Sequence, residues 1–235
     1  MKRYILSFSL LVSFLGFAQE TTNQLNKNGK KHGLWKGTYK ESKRPRYEGT
    51  FDNGKEVGVF KYFDDTKAGK VIATRDFSKG DGGCYVTIFD RKGNKVSEGY
   101  VDKNGDNQGL WKYYHKDSKK IMSEENYTNG NIHGKKLIYY KEGNLANEIN
   151  YNNGIKEGLF LQYSKDGVIL EEIPYKNNQF HGEVIYRNPK GQITAQGKYE
   201  HGIKKGIWKF FENGKLIREV NAEDKDFIYK GKTNN

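Results

Sequence analysis

A glycine recurs along this chain at nearly fixed intervals, and that period limits the possible folds more than any other feature. Gly33, Gly58, Gly83, Gly109, Gly134, Gly158, Gly182 and Gly206 are spaced by 25, 25, 26, 25, 24, 24 and 24 residues. A period in the twenties, held over eight copies, marks a repeat architecture. Each copy is then one supersecondary unit that buries its apolar surface against its neighbours.

The punctuation inside each unit predicts its shape. Four residues before most of these glycines stands an Asn-Gly pair: Asn28-Gly29, Asn53-Gly54, Asn104-Gly105, Asn129-Gly130 and Asn153-Gly154. His201-Gly202 takes the same place, and Asn177-Asn178 substitutes for it in the seventh unit. These residue types accept positive φ, so the phrase predicts a hairpin turn. A second turn follows about nine residues after the recurring glycine, at Gly143, Gly167 and Gly191, with Gly69, Gly93 and Gly214 slightly displaced. Two β-prone runs and two turns make a β-hairpin. Helix is excluded, because glycines interrupt the chain continually and β-branched or aromatic residues fill the gaps.

Columns emerge when the units are aligned. The position after the recurring glycine reads Leu34, Val59, Cys84, Leu110, Lys135, Leu159, Glu183 and Ile207. The next reads Trp35, Phe60, Tyr85, Trp111, Lys136, Phe160, Val184 and Trp208. Adjacent strand residues point to opposite faces, so both faces are partly apolar. In the other strand Glu148 and Glu172 fall in a column with Glu98, Glu124, Gln196 and Glu219. Leu145, Ile149 and Tyr151 share the opposite face, as do Ile169, Ile173 and Tyr175. A chain that is 34% hydrophobic but 14% aromatic suits a thin sheet that buries rings between neighbouring strands. Cys84, the one cysteine, cannot form an internal disulfide, and its column reads as a small buried hydrophobe.

The phrases "NGKKHGLW", "NGNIHGKKLIYYKEGNL" and "HGIKKGIWKFFENGKL" resemble MORN repeats. They are closer still to the variant MORN-type repeat of bacterial proteins, including those labelled YwqK-like antitoxins. The resemblance extends over about residues 26–220. It implies an all-β protein: one elongated, twisted antiparallel sheet of about eight tandem hairpins. Sixteen strands about 4.8 Å apart would extend on the order of 75 Å before twist. The third unit, "FSKGDGGCYVTIFD", departs from the pattern and predicts a local irregularity or bulge. Open sheet edges need cover. The polar leader and the tail, with Phe227-Ile228-Tyr229 as a short final strand, are the expected caps.

The first residues read as an export signal: "MKRY", then the uncharged run "ILSFSLLVSFLGFA" ending in small residues, then polar "QETTNQ". Cleavage is expected after Ala18. The organisation is then a signal peptide over 1–18, a polar leader over 19–26, repeats over 27–220 and a charged tail or cap over 221–235. No other segment is long and apolar enough to span a bilayer as a helix. Loss of Lys2 and Arg3 lowers the net charge from +12 to +10. In an exported chain, periplasmic, envelope-bound or extracellular, that surplus points to anionic lipid headgroups, acidic glycans or an acidic protein, and away from nucleic acid.

No set of residues points to catalysis, a cofactor or a metal. His32, His133 and His181 precede recurring glycines in what reads as the turn. Successive hairpins lie about 10 Å apart, too far for direct shared coordination. The glutamate column recurs in six units, whereas a catalytic carboxylate pair must be singular and set in a pocket. A surface remains. Lys36, Lys61, Lys112 and Lys209 each follow a ring, at Trp35, Phe60, Trp111 and Trp208, and alternation puts lysines and rings on opposite faces. These eight residues read either as packing and solubilising charge or as a surface where rings stack and lysines attract anions. The expected function is an exported, non-enzymatic scaffold for protein–protein interaction. The resemblance implies two alternatives, an antitoxin-like neutraliser of a partner toxin and envelope association through anionic lipid or glycan.

Overall fold

A computed structural model describes residues 21–224. The expected signal segment and the expected final strand, Phe227-Ile228-Tyr229, lie outside the described residues. Within them the chain is a single open antiparallel sheet with no helix.

A two-residue strand, β1 (Gln24–Leu25), precedes eight hairpins. The first four are β2 (Lys31–Thr38) with β3 (Pro45–Asp52), β4 (Lys55–Phe63) with β5 (Val71–Asp76), β6 (Cys84–Phe89) with β7 (Lys95–Val101), and β8 (Asn107–Tyr114) with β9 (Ile121–Thr128). The fifth is β10 (Asn131–Tyr139) with β11 (Leu145–Asn152). In the sixth, β12 (Ile155–Lys156) and β13 (Gly158–Tyr163) together face β14 (Ile169–Lys176). The seventh sets β15 (Gln179–Phe180) and β16 (Gly182–Arg187) against β17 (Ile193–Glu200). The eighth is β18 (Ile203–Glu212) with β19 (Lys215–Asn221). Pairing runs only between chain neighbours, both within a hairpin and from one hairpin to the next. β1 lies along β2 and covers that edge with leader residues.

Two turn chemistries alternate. Between hairpins, Asn153 and Gly154 have φ of 49° and 82°, and Asn129 and Gly130 have 49° and 75°. Both central residues are left-handed, as a type I′ turn requires. At opposite tips such as that at Ser164, and also before β8 at Asp102, the chain uses a longer loop of three residues. Ser164 N–H donates to Val168 O at 2.8 Å, Gly167 N–H donates to Ser164 O at 3.0 Å, and Ser164 Oγ accepts from Asp166 and Val168. Asp90 and Asn188 do the same with their side-chain oxygens.

The recurring glycines are not in the turns. All but Gly83 sit in strands with positive φ, and at Gly58, Gly109, Gly134 and Gly206 the register slips, for example between Glu48 and Thr50 opposite Gly58, whose φ is 63°. These four are the left-handed residues of β-bulges. His32 and His133 accordingly lie in β2 and β10, and His181 lies between β15 and β16, rather than in turns.

The third unit corrects the aligned columns. Cys84 pairs with Val101 as Gly109 pairs with Tyr127, so β6 enters one residue later than the sequence alignment implies. The cause is the segment before it, where Gly80 and Gly82 both have positive φ and Gly83 does not. Val86 therefore takes the ring position, and Tyr85 turns outward, 43% exposed. Cys84 is buried, but not through membership of the column assigned to it. That column is exposed: Val59 is 50% and Ile207 53% accessible.

One face of the sheet, here the ring face, holds the core. Its clusters centre on Cys84, Val86 and Trp111, and on Ile173, Val184 and Trp208. Hairpins meet across a matched pair at every seam but the second, where Arg75 faces Val86. The Phe60 ring lies over Gly49, the Trp111 indole over Gly99 and the Trp208 indole over Gly197. A Cβ added to Gly99 would stand 2.3 Å from the Trp111 ring, so no larger residue fits beneath it. In the middle units the pair changes. Glu125 opposes Lys136 in a 2.8 Å ion pair, Ile149 lies opposite Phe160, and Ile173 lies opposite Val184.

Candidate interaction surface

The opposite face carries one unbroken cross-strand row. It reads Lys36, Glu48, Lys61, Thr74, Thr87, Glu98, Lys112, Glu124, Leu137, Glu148, Leu161, Glu172, Ile185, Gln196, Lys209 and Glu219. This is the ladder face. Unlike charges directly opposite stabilise a sheet modestly, and the row exploits that. Lys61 meets Glu48 at 3.2 Å and Lys209 meets Glu219 at 3.5 Å. Lys135 reaches Glu148 at 2.6 Å from the flanking row.

The structure divides the eight candidate residues. Phe60, Trp111 and Trp208 are buried in the ring face, with 1%, 7% and 1% exposure, and Trp35 is half-buried there. Trp111 Nε1 donates to Tyr100 O and Trp35 Nε1 donates to Gln24 O, so these two indoles are also satisfied internally. The rings are packing elements. Lys36, Lys61, Lys112 and Lys209 stand together on the ladder face, away from them. Alternation separated lysines from rings correctly, while the exposure it left open falls to the lysines.

A second row of rings borders the ladder: Phe63, Phe89, Tyr114 and Tyr139, followed by Tyr163. Tyr114 donates to Glu98, and Tyr139 donates to Glu124 at 2.8 Å. Burial and the Glu124 acceptor push the Tyr139 phenol up to about 12. Burial raises Glu98, but Lys95 and Tyr114 outweigh it and hold the carboxyl below its ordinary range. The signal was available, since these rings stand two residues after each ladder position.

The rows enclose clefts over the first four hairpins. One of about 680 Å³ lies between β2, β3 and the tip after β4, walled by Lys36, Arg44 and Lys67 and floored by Phe63. The next, about 540 Å³, is walled by Lys61, Lys70 and Lys92 around Phe89. A third of about 390 Å³ shares Phe89 and adds Tyr114, Lys95 and Lys119. Glu48 is the single carboxylate on these walls. Arg44 is tied to Asp65 at 3.2 Å and Lys92 to Asp117 at 2.7 Å, whereas Lys36, Lys67, Lys70 and Lys119 make no ion pair among the described residues.

The histidines build nothing comparable. His181 and His201 have ring centroids 5.2 Å apart, and His181 Nδ1 is buried without a partner. Glu157 bonds Asn177 N–H instead. Among the described residues no group of three or more His, Cys, Asp or Glu is placed to hold a metal ion.

A single-layer array of β-hairpins, cored on one face and presenting a charged row on the other, is a repeat scaffold. The model of the MORN repeat variant matches residues 132–153 and 156–177, two adjacent units, so the chain carries MORN-variant repeats. No curated protein matches the chain. A solved structure of a protein of unknown function from Bacteroides fragilis is 7% identical, over 85% of this chain and 96% of that one. Its TM-score of 0.13 carries no argument.

Proposed function

We propose that the protein is an exported, non-enzymatic scaffold that binds another protein through the ladder face. One observation carries the reading: the ring face supplies the core, while the ladder face keeps cationic groups without partners beside ring-floored clefts. Repeat arrays offer such long surfaces to partners. A toxin is one partner of this kind, and a toxin gene beside this one would identify it.

The test is affinity capture from the cell-envelope fraction with the full exported chain. A stoichiometric protein complex that survives moderate salt supports the scaffold. Retention only on anionic lipid or glycan, lost as salt rises past physiological strength, contradicts it in favour of envelope association through screened surface charge.

A further inference from the structure

The clefts at the N-terminal end specify more than a basic surface. We infer that they form one groove for an extended acidic peptide of the partner, with two apolar side chains three residues apart and carboxylates between them. The inference rests on the scaffold reading and names the segment that reading leaves open.

Geometry sets the spacing. Phe63 and Phe89 occupy equivalent positions in β4 and β6, two strands apart, which is about 10 Å. A peptide in the extended polyproline II conformation advances about 3.1 Å per residue with three residues per turn, so side chains at i and i+3 share one side and reach both floors. A peptide over Phe63 and Phe89 crosses the strands rather than adding to an edge, because β3, β4, β5 and β6 are already paired on both sides.

Charge sets the sign. Lys36 and Lys67 on the first cleft and Lys70 on the second have no internal carboxylate to satisfy them, and Glu48 alone opposes them on the walls. Farther along the ladder come Leu137, Leu161 and Ile185, and Lys209 at the far end is paired with Glu219, so the groove of unpaired cations is local to this end. Chemistry then separates peptide from sugar. Thr38, Tyr47, Thr66 and Thr74 are the neutral polar side chains on the first two clefts, too few for the many hydroxyls of a glycan, which would be buried unpaired at a cost. Apolar side chains suit Phe63, Phe89, Pro45 and Val71.

The test is fluorescence titration of the full exported chain with synthetic peptides. One carries two leucines separated by two glutamates, and its isomer places the leucines side by side. The groove predicts that the spaced peptide binds about tenfold tighter, and that Lys36→Glu, Lys67→Glu and Lys70→Glu together remove about tenfold, the sum of a few partly exposed charge contacts. Circular dichroism of the triple variant checks that its fold persists. Equal binding of the two isomers overturns the inference. So does binding confined to phosphatidylglycerol vesicles or oligogalacturonate. Envelope capture that survives the triple variant also overturns the groove while leaving the scaffold standing, whereas absence of any captured protein removes the scaffold reading itself.

Discussion

The flanks and the middle of the sheet solve the same problem differently. At the flanks a ring lies flat on a glycine, at Gly49 and Phe60, Gly99 and Trp111, Gly197 and Trp208. Through the middle the partners are two side chains of matched size or charge: Glu125 with Lys136, Ile149 with Phe160, Ile173 with Val184. The ladder face changes with them, lysine at the flanks and Leu137, Leu161 and Ile185 in the centre. Turns and bulges are therefore the fixed part of the unit, and the seam between units is settled pair by pair. A ring excludes any side chain beneath it, so ring and glycine must occur together.

Removing a ring tests the flanks hardest. Trp208→Ala leaves a void under a residue that is 1% exposed and should cost about 3–5 kcal/mol, measured by urea unfolding. An equal loss from Ile173→Val would mean that the middle seam, not the ring, dominates stability.

The seam rule is sharpened by a cycle. Gly99→Ile alone should destabilise by about 1–3 kcal/mol, since its Cβ would clash with the Trp111 indole. Combined with Trp111→Val, which copies the pairing of Ile173 with Val184, it should recover at least about 1 kcal/mol relative to additivity. Strict additivity would break the comparison.

Two carboxylates give the smallest and most diagnostic effects. Glu98 is depressed in the folded chain, so its contribution is present above the ordinary carboxylate range and fades as pH falls. Glu171, on the ring face beside Tyr186, is raised by burial, so its ionised form costs stability at neutral pH and the cost fades on acidification. Glu98→Gln should lower the melting temperature at pH 7 and do less at pH 4. Glu171→Gln should raise it at pH 7 and do less at pH 4. Matching signs would contradict the assignment of these two environments.

Much of this was legible in the sequence because turns are written in local chemistry. Asn-Gly pairs, the later glycines and the glutamate column fixed the hairpins, their count and the ladder face. Three things were not. The slip at Cys84 was hidden because Gly80, Gly82 and Gly83 compete for one role, and only backbone conformation separates them. Exposure of Val59 and Ile207 was hidden because a thin sheet has apolar residues on both faces, and covering only one decides which are core. The groove arises between units, from lysines and rings 20 to 30 residues apart, so no single repeat displays it. The seam glycines were readable: Gly49, Gly99 and Gly197 follow Glu48, Glu98 and Gln196 and precede a ring in the next hairpin.

The central claim is an open ribbon that keeps its ladder face free, and small-angle scattering of the purified chain tests it most directly. Sixteen paired strands predict a radius of gyration of about 23 Å and a maximum dimension on the order of 75 Å. A radius near 17 Å, which a compact domain of this length would give, would contradict the account.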